Sequence, residues 1–212
     1  MIPLLVLFDV DGTLFLTDDW LAGLALRDTL TERYRVRVPD GAISGVDHQG
    51  QTSLRIGRLV LEAAGIDHPE NLHDWCSEFA ERYLELLAGA DTNAWRPAPE
   101  AERALEQLAD SGLRLALLTG NPEPMARARM ERLRLARFFT PGEGAFGCES
   151  ESRVELIALA RSRAGNWPAA ATVEIGDTRR DATSSQAAGI RSILVGEDGV
   201  TVDAIRQLLE SA

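Results

Sequence analysis

The chain has 212 residues with 22 basic and 33 acidic side chains, and its net charge of −11 repels nucleic acid and anionic membrane surfaces, so neither is expected as a partner. That length suffices for one doubly wound domain plus a smaller module, because folding at this size buries roughly 70% or more of the unfolded surface. No apolar run is long enough to cross a bilayer, and the opening one is cut off by acids too early for a signal peptide. Cys76 and Cys148 are therefore expected as reduced thiols in a cytoplasmic protein.

In chain order, Ile2–Phe8 is apolar throughout, as a strand covered on both faces reads, and it runs into Asp9-Val10-Asp11-Gly12-Thr13-Leu14. Asp18 and Asp19 are placed to cap a helix from near Trp20, with Leu21, Leu24 and Leu30 on one face. Leu54 to Ala64 carries Ile56, Leu59, Val60 and Ala63 at helical spacing, and Trp75 to Leu87 carries Phe79, Tyr83 and Leu86. No strand pattern falls between Asp18 and Ala94; Thr92–Pro99 reads as a linker and Glu100–Ala109 as a helix. Leu113–Leu118 then forms a strand leading into Thr119-Gly120-Asn121-Pro122, where Asn121 and Pro122 suit a helix cap and first-turn proline. Ser152-Arg153-Val154-Glu155 matches a capping box, followed by a stripe of Leu156, Ile157 and Ala160. Thr172–Ile175 is a third strand, delivering Gly176-Asp177-Thr178-Arg179-Arg180-Asp181. The expected architecture is α/β, a Rossmann-like doubly wound parallel sheet over 1–17 and 95–212, interrupted by an all-helical insert over 18–94.

Ligands of open α/β sheets bind outside the carboxyl ends of the strands, and all three polar segments sit at such ends. Residues i and i+2 of an extended segment share a side, so Asp9 and Asp11 can face one reactant, with Gly12 turning the chain behind them. Two carboxylates that close repel, which leaves two chemical outcomes: a bound cation, or one carboxyl kept protonated. A solvated acidic turn would carry the same four letters, and it is the other acidic and polar strand ends that favour a reactive site.

With Asp-x-Asp-Gly-Thr-Leu at 9–14, Thr-Gly-Asn at 119–121 and Gly-Asp-Thr-x-x-Asp at 176–181, in that order, the sequence resembles the haloacid dehalogenase superfamily. The likeness is to its phosphatase branch with a helical cap, of the phosphoglycolate phosphatase-like kind. The resemblance implies a magnesium-dependent phosphatase acting on a small phosphorylated metabolite, as a monomer or homodimer. Asp9 would be the nucleophile that forms an aspartyl phosphate and Asp11 the acid and base. Mg2+ would be held by Asp9, Asp11 through its backbone carbonyl, and Asp177, with Asp181 ordering that shell. Thr119, Gly120 and Asn121 would bind the phosphoryl oxygens, and Gly12 and Thr13 would order the first loop.

The family usually places a lysine between its second and last motifs, and this chain has no lysine. Arg153 is the candidate replacement, because its permanently charged planar fork suits phosphate. In the insert, Gly45–Arg55 partly resembles the cap loop of related phosphatases, with Ser53 where an aspartate is common; His48, Gln51, Thr52 and Arg55 are candidates for reading the leaving group. A phosphosugar mutase is the alternative, disfavoured because Trp20 and Leu21 stand where mutases carry a histidine. Dehalogenation is disfavoured by the presence of Asp11, and a non-catalytic phosphate-binding protein by the intact set of acids.

Overall fold

A computed structural model of the chain describes residues 4–203; Ile2 and Pro3, at the start of the opening apolar run, lie outside them. Five parallel strands form the sheet: β1 (Leu5–Phe8), β2 (Arg114–Thr119), β3 (Ala145–Phe146), β4 (Thr172–Gly176) and β5 (Arg191–Leu194), ordered β3-β2-β1-β4-β5. The central strand is β1, in register with β2 (Phe8 beside Leu117) and β4 (Phe8 beside Ile175). Strand alternation explains its unbroken apolar run. Val6 and Phe8, with Leu115 and Leu117 of β2, point into the core under α5 (Ala101–Asp110) and α6 (Glu123–Arg132). Leu5 and Leu7, with Ala116 and Leu118, point the other way onto Leu156, Ile157 and Ala160 of α7 (Arg153–Arg163). Each fully buried Leu or Phe on these faces contributes about 1.5–3 kcal/mol, so the sheet is held by burial on both sides. The helix α8 (Arg179–Ala187) joins β4 to β5.

Four helices fill the insert: α1 (Trp20–Tyr34), α2 (Asp40–Ser44), α3 (Ser53–Ala63) and α4 (Leu72–Gly89). They pack around their own cluster, with Trp75, Phe79 and Tyr83 of α4 against Leu21, Leu26 and Leu30 of α1. Asp19 caps α1, accepting from the Leu21 amide at 3.1 Å. The core face of α3 is rotated from the expected stripe: Leu54, Gly57, Val60 and Leu61 are buried, while Ala63 is exposed. The reason is the partner, since Gly57 lets the Trp75 ring lie within 2.3 Å of where a Cβ would stand. The two chain crossings into this cap run side by side, with Ala98 donating to the Leu14 carbonyl at 2.9 Å and the Phe15 and Trp95 rings 5.0 Å apart.

One expectation is overturned. Cys76 of α4 and Cys148, just after β3, form a disulfide that ties the cap to the sheet domain; they are not free thiols. The two residues are 72 apart in sequence, and only the fold of the insert brings them together.

Candidate active site

The site lies at the carboxyl edge of β1, β2 and β4. Asp9 is 5% exposed, and its amide donates to the Ile175 carbonyl at 2.9 Å, which fixes the first carboxylate beside the end of β4. Gly12 takes a positive φ of 75°, and a Cβ there would fall 2.2 Å from an oxygen of Asp177, so only glycine lets the first loop approach the β4 loop. Asp181 sits in the first turn of α8, in a capping box with Thr178. Carboxylate oxygens of Asp9, Asp177 and Asp181 all lie within 4.8 Å of one another.

Such crowding has electrostatic consequences. Burial pushes the Asp9 carboxyl well above its usual range; Arg153 opposes this, while Asp181 and Asp11 add to it. Asp177 is raised too, by burial and then by Asp181 and Asp11. Asp177 Oδ1 is buried with no hydrogen-bond donor, and the buried Asp181 Oδ1 has only an ion-pair contact, with Arg153 Nε at 2.9 Å. Hard oxygen donors, mutual repulsion and unpaired lone pairs together fit a small divalent cation such as Mg2+.

Arg153, the first residue of α7, is 5% exposed and reaches the same cluster: Nη2 stands 3.4 Å from Asp9 and Nε 2.9 Å from Asp181. Burial works against its charge, but Asp9, Glu174 and Asp181 outweigh it and keep the guanidinium protonated. Its Nη1 is buried without an acceptor. Glu174 explains how so large a cation is held. It lies in the middle of β4, wholly buried, accepting from Arg153 Nε at 3.0 Å and Nη2 at 2.9 Å and from the Ser185 hydroxyl. In the sequence this glutamate stands alone between the apolar Val173 and Ile175 of β4, with no neighbouring signal of its partner Arg153, 21 residues away.

Asp11 is not part of the three-acid cluster; its side chain turns to Arg129 and Asn121. The Asn121 amide donates to Asp11 and, at 3.1 Å, to the Thr119 hydroxyl. Asn121 therefore does not cap α6, as the sequence suggested: Pro122 holds the cap position without a side-chain bond, because the asparagine is used in the site.

Arg129 is a site residue the sequence reading missed. It is 2% exposed; Nη1 donates to both oxygens of Asp11 (2.9 and 3.1 Å), Nη2 to Asp19 (2.7 Å), and Nε to Asp19 and the Tyr83 hydroxyl. It thus joins the second aspartate of the first loop to the first and last helices of the cap, where the Tyr83 hydroxyl also donates to Asp19 at 2.6 Å. The signal was its position among Met125, Ala126 and Met130, a charge on the buried face of α6.

The cap loop contributes unevenly. Gln51 reaches the cavity wall, although its side-chain amide donates to the Asp47 carbonyl at 2.9 Å. Thr52 is spent as the α3 cap, accepting from the Arg55 amide, and Arg55 turns away to Glu151 at 3.6 Å; neither lines the cavity. Ser53 binds the Gly120 carbonyl through its amide (2.8 Å) and hydroxyl (2.9 Å). That contact is so close that a Cβ on Gly120 would meet the Gln51 carbonyl at 1.9 Å. Thr13 is buried behind the loop and does not reach the cavity, whereas Gly12, Thr119, Gly120 and Asn121 do. Between cap and sheet lies a cavity of about 350 Å³ with Asp9, Asp11, Asp177 and Arg153 at its floor.

A family model described as haloacid dehalogenase-like hydrolase matches residues 4–189. The chain is 26% identical over 192 residues to a phosphoglycolate phosphatase of Pseudomonas fluorescens, covering 91% of this chain and 69% of that protein. It is 29% identical over 203 residues to one of Rhodospirillum rubrum, covering 91% and 79%. Among solved structures, CbbY from Rhodobacter sphaeroides in complex with phosphate superposes with a TM-score of 0.65 at 19% identity, covering 92% of this chain and 87% of that one. A predicted phosphatase from Clostridium acetobutylicum does so at 0.69 and 20%, covering 99% and 100%. Both likenesses concern the fold.

Proposed function

The chain belongs to the haloacid dehalogenase-like hydrolases, and on that premise we propose that it is a magnesium-dependent phosphatase that hydrolyses a small phosphomonoester through a phosphorylated Asp9. One observation carries the reading: a buried carboxylate, Asp9, stands beside two further acids and a fixed guanidinium, at the floor of the cavity between cap and sheet. We take residues 18–94 as the cap, and 1–17 with 95–212 as the catalytic domain.

Asp9 Oδ attacks phosphorus while the ester P–O bond breaks, and Asp11 gives a proton to the departing alkoxide oxygen. Asp11 then takes a proton from water as that oxygen attacks phosphorus and the Asp9–phosphorus bond breaks, releasing phosphate and restoring both carboxyl groups. Asp9, Asp177 and the Asp11 carbonyl would hold Mg2+, with Asp181 ordering them, and the ion would supply positive charge against the transferring phosphoryl group. Thr119 and the amides of Gly120 and Asn121 are the neutral donors to the phosphoryl oxygens, and the unpaired Nη1 of Arg153 is the charged one. Nothing in this arrangement calls for a second copy of the chain, so a monomer suffices and a homodimer is compatible. The cytoplasmic setting expected from the sequence is at odds with the Cys76–Cys148 bond, since disulfides are rare in reducing compartments.

The test is turnover of p-nitrophenyl phosphate with and without Mg2+, in the wild type and in Asp9→Asn. Turnover should need the ion and fall to background in the variant while its circular dichroism stays unchanged. A variant that still turns over would remove Asp9 from the nucleophile's role.

A further inference from the structure

We infer that the leaving group of the substrate is uncharged and largely apolar, a small alkyl or aryl alcohol and not a hydroxy acid or a second phosphate ester. This deepens the phosphatase reading and rests on it.

The upper wall of the cavity is built by Ala22 and Leu26 of α1, Ile56 of α3, Phe79 of α4 and Met125 of α6. These are apolar side chains facing the polar floor across the position of the leaving group. A second anionic group would need a free cation there. Among the described residues lining the cavity, the only cations are Arg129 and Arg153. Arg153 belongs to Asp9, Glu174 and Asp181 at the floor. Arg129 is closest to the wall, but each of its three nitrogens already donates to Asp11, Asp19 or Tyr83. Arg55, which could have served, is outside the cavity and paired with Glu151.

The polar flank offers no substitute. His48 donates through Nε2 to the Ile43 carbonyl at 2.9 Å, so that nitrogen is engaged within the cap and is not offered to the substrate. The Gln51 amide is engaged with Asp47. Four carboxyl groups of the cavity, those of Asp9, Asp11, Asp19 and Asp177, face two guanidinium groups and, in the loaded enzyme, one divalent ion, which leaves no surplus positive charge for a second anion. A substrate carboxylate brought under the apolar wall would lose its water and gain no partner, an unfavourable exchange, whereas a methyl or phenyl group would be buried favourably.

Steady-state kinetics with Mg2+ on benzyl phosphate, propyl phosphate and phosphoglycolate test this. Wild-type kcat/KM should favour both uncharged esters over phosphoglycolate by at least about tenfold, or 1.4 kcal/mol. A smaller or reversed ratio overturns the inference while leaving the phosphatase reading in place, and a wild type inert on all three esters overturns both. Ile56→Arg, which sets a cation in the wall, should raise the phosphoglycolate-to-propyl phosphate ratio by about tenfold or more. Should that variant not fold, Ala22→Arg carries the same expectation from α1, and an unchanged ratio in a folded variant counts against the apolar wall as the selecting element.

Discussion

A guanidinium on the buried face of a helix must be matched by anions, and Arg129 is matched by Asp11 and Asp19 at once. The rings of Phe15 and Tyr83 lie 5.3 and 5.5 Å from its guanidinium carbon and cover the arginine, while Asp11 keeps one side open to solvent. Through this fork the carboxyl group assigned the proton transfers is aimed by a side chain that also grips the start of the cap. Arg129→Gln would leave Asp11 held by the Asn121 amide alone, and the loss should depend on how much the leaving group needs its proton. For an alkyl phosphate kcat/KM should fall roughly 100-fold, and for p-nitrophenyl phosphate, whose phenolate leaves unprotonated, by less than about tenfold. Equal losses on the two esters would mean that Arg129 only supports the fold. Asp9, Asp11, Asp177 and Asp181 could be singled out from the sequence because short range order sets them: each follows a strand by a fixed count. Glu174 and the diversion of Asn121 could not, because their partners lie 21 and 110 residues away, and Arg129 is marked only as a charge on an apolar helix face, its partner Asp11 lying 118 residues away.

Among elements, the strands were legible and the faces of the cap helices were less so. β1 and β2 are apolar on both sides, so their pattern carries no ambiguity of face, whereas β4 is apolar only through Val173 and Ile175 and carries Thr172 and Glu174 on its other face. α3 was assigned a stripe one step off, since Gly57 contributes no hydrophobicity to any pattern yet marks the contact with Trp75. The Cys76–Cys148 link is the other element-scale surprise: it joins α4 to the segment after β3, beside the ion pair of Arg58 with Glu151. Closing a loop of this length removes conformational freedom from the unfolded chain worth about 4 kcal/mol. Reduction should therefore lower the melting temperature by roughly 8–16 °C for a protein of this size. Parallel thermal melts of wild type and Cys148→Ser, each with and without a phosphine reductant, measure this. The variant should melt where the reduced wild type does and ignore the reductant; no shift in the wild type would mean the bond does not persist in solution.

At the scale of the whole molecule, the protein carries a net charge of −11 and still gathers three carboxylates at one point under a lid. Such a cluster is unfavourable by itself, and the folded state relieves it by holding protons: burial keeps Asp9, Asp177 and Glu174 above their ordinary values. A raised value in the folded state means more bound protons folded than unfolded, so these groups favour folding in acid. That contribution is lost as pH rises from the ordinary carboxyl range through their raised values. A divalent ion must displace the protons to bind, and it then restores what the ionised cluster lost. Binding to the folded state alone adds stability as RT ln(1 + [L]/Kd), with an apparent Kd that tightens as the carboxyls ionise. The melting temperature should therefore gain little from millimolar Mg2+ near pH 5 and clearly more near pH 8, and Asp177→Asn should lose most of the gain. Scanning calorimetry across that range, with Ca2+ and a monovalent salt of equal ionic strength as controls, separates ion binding from screening. Equal gains at both pH values, or a full gain in the variant, would place the ion somewhere other than among Asp9, Asp177 and Asp181.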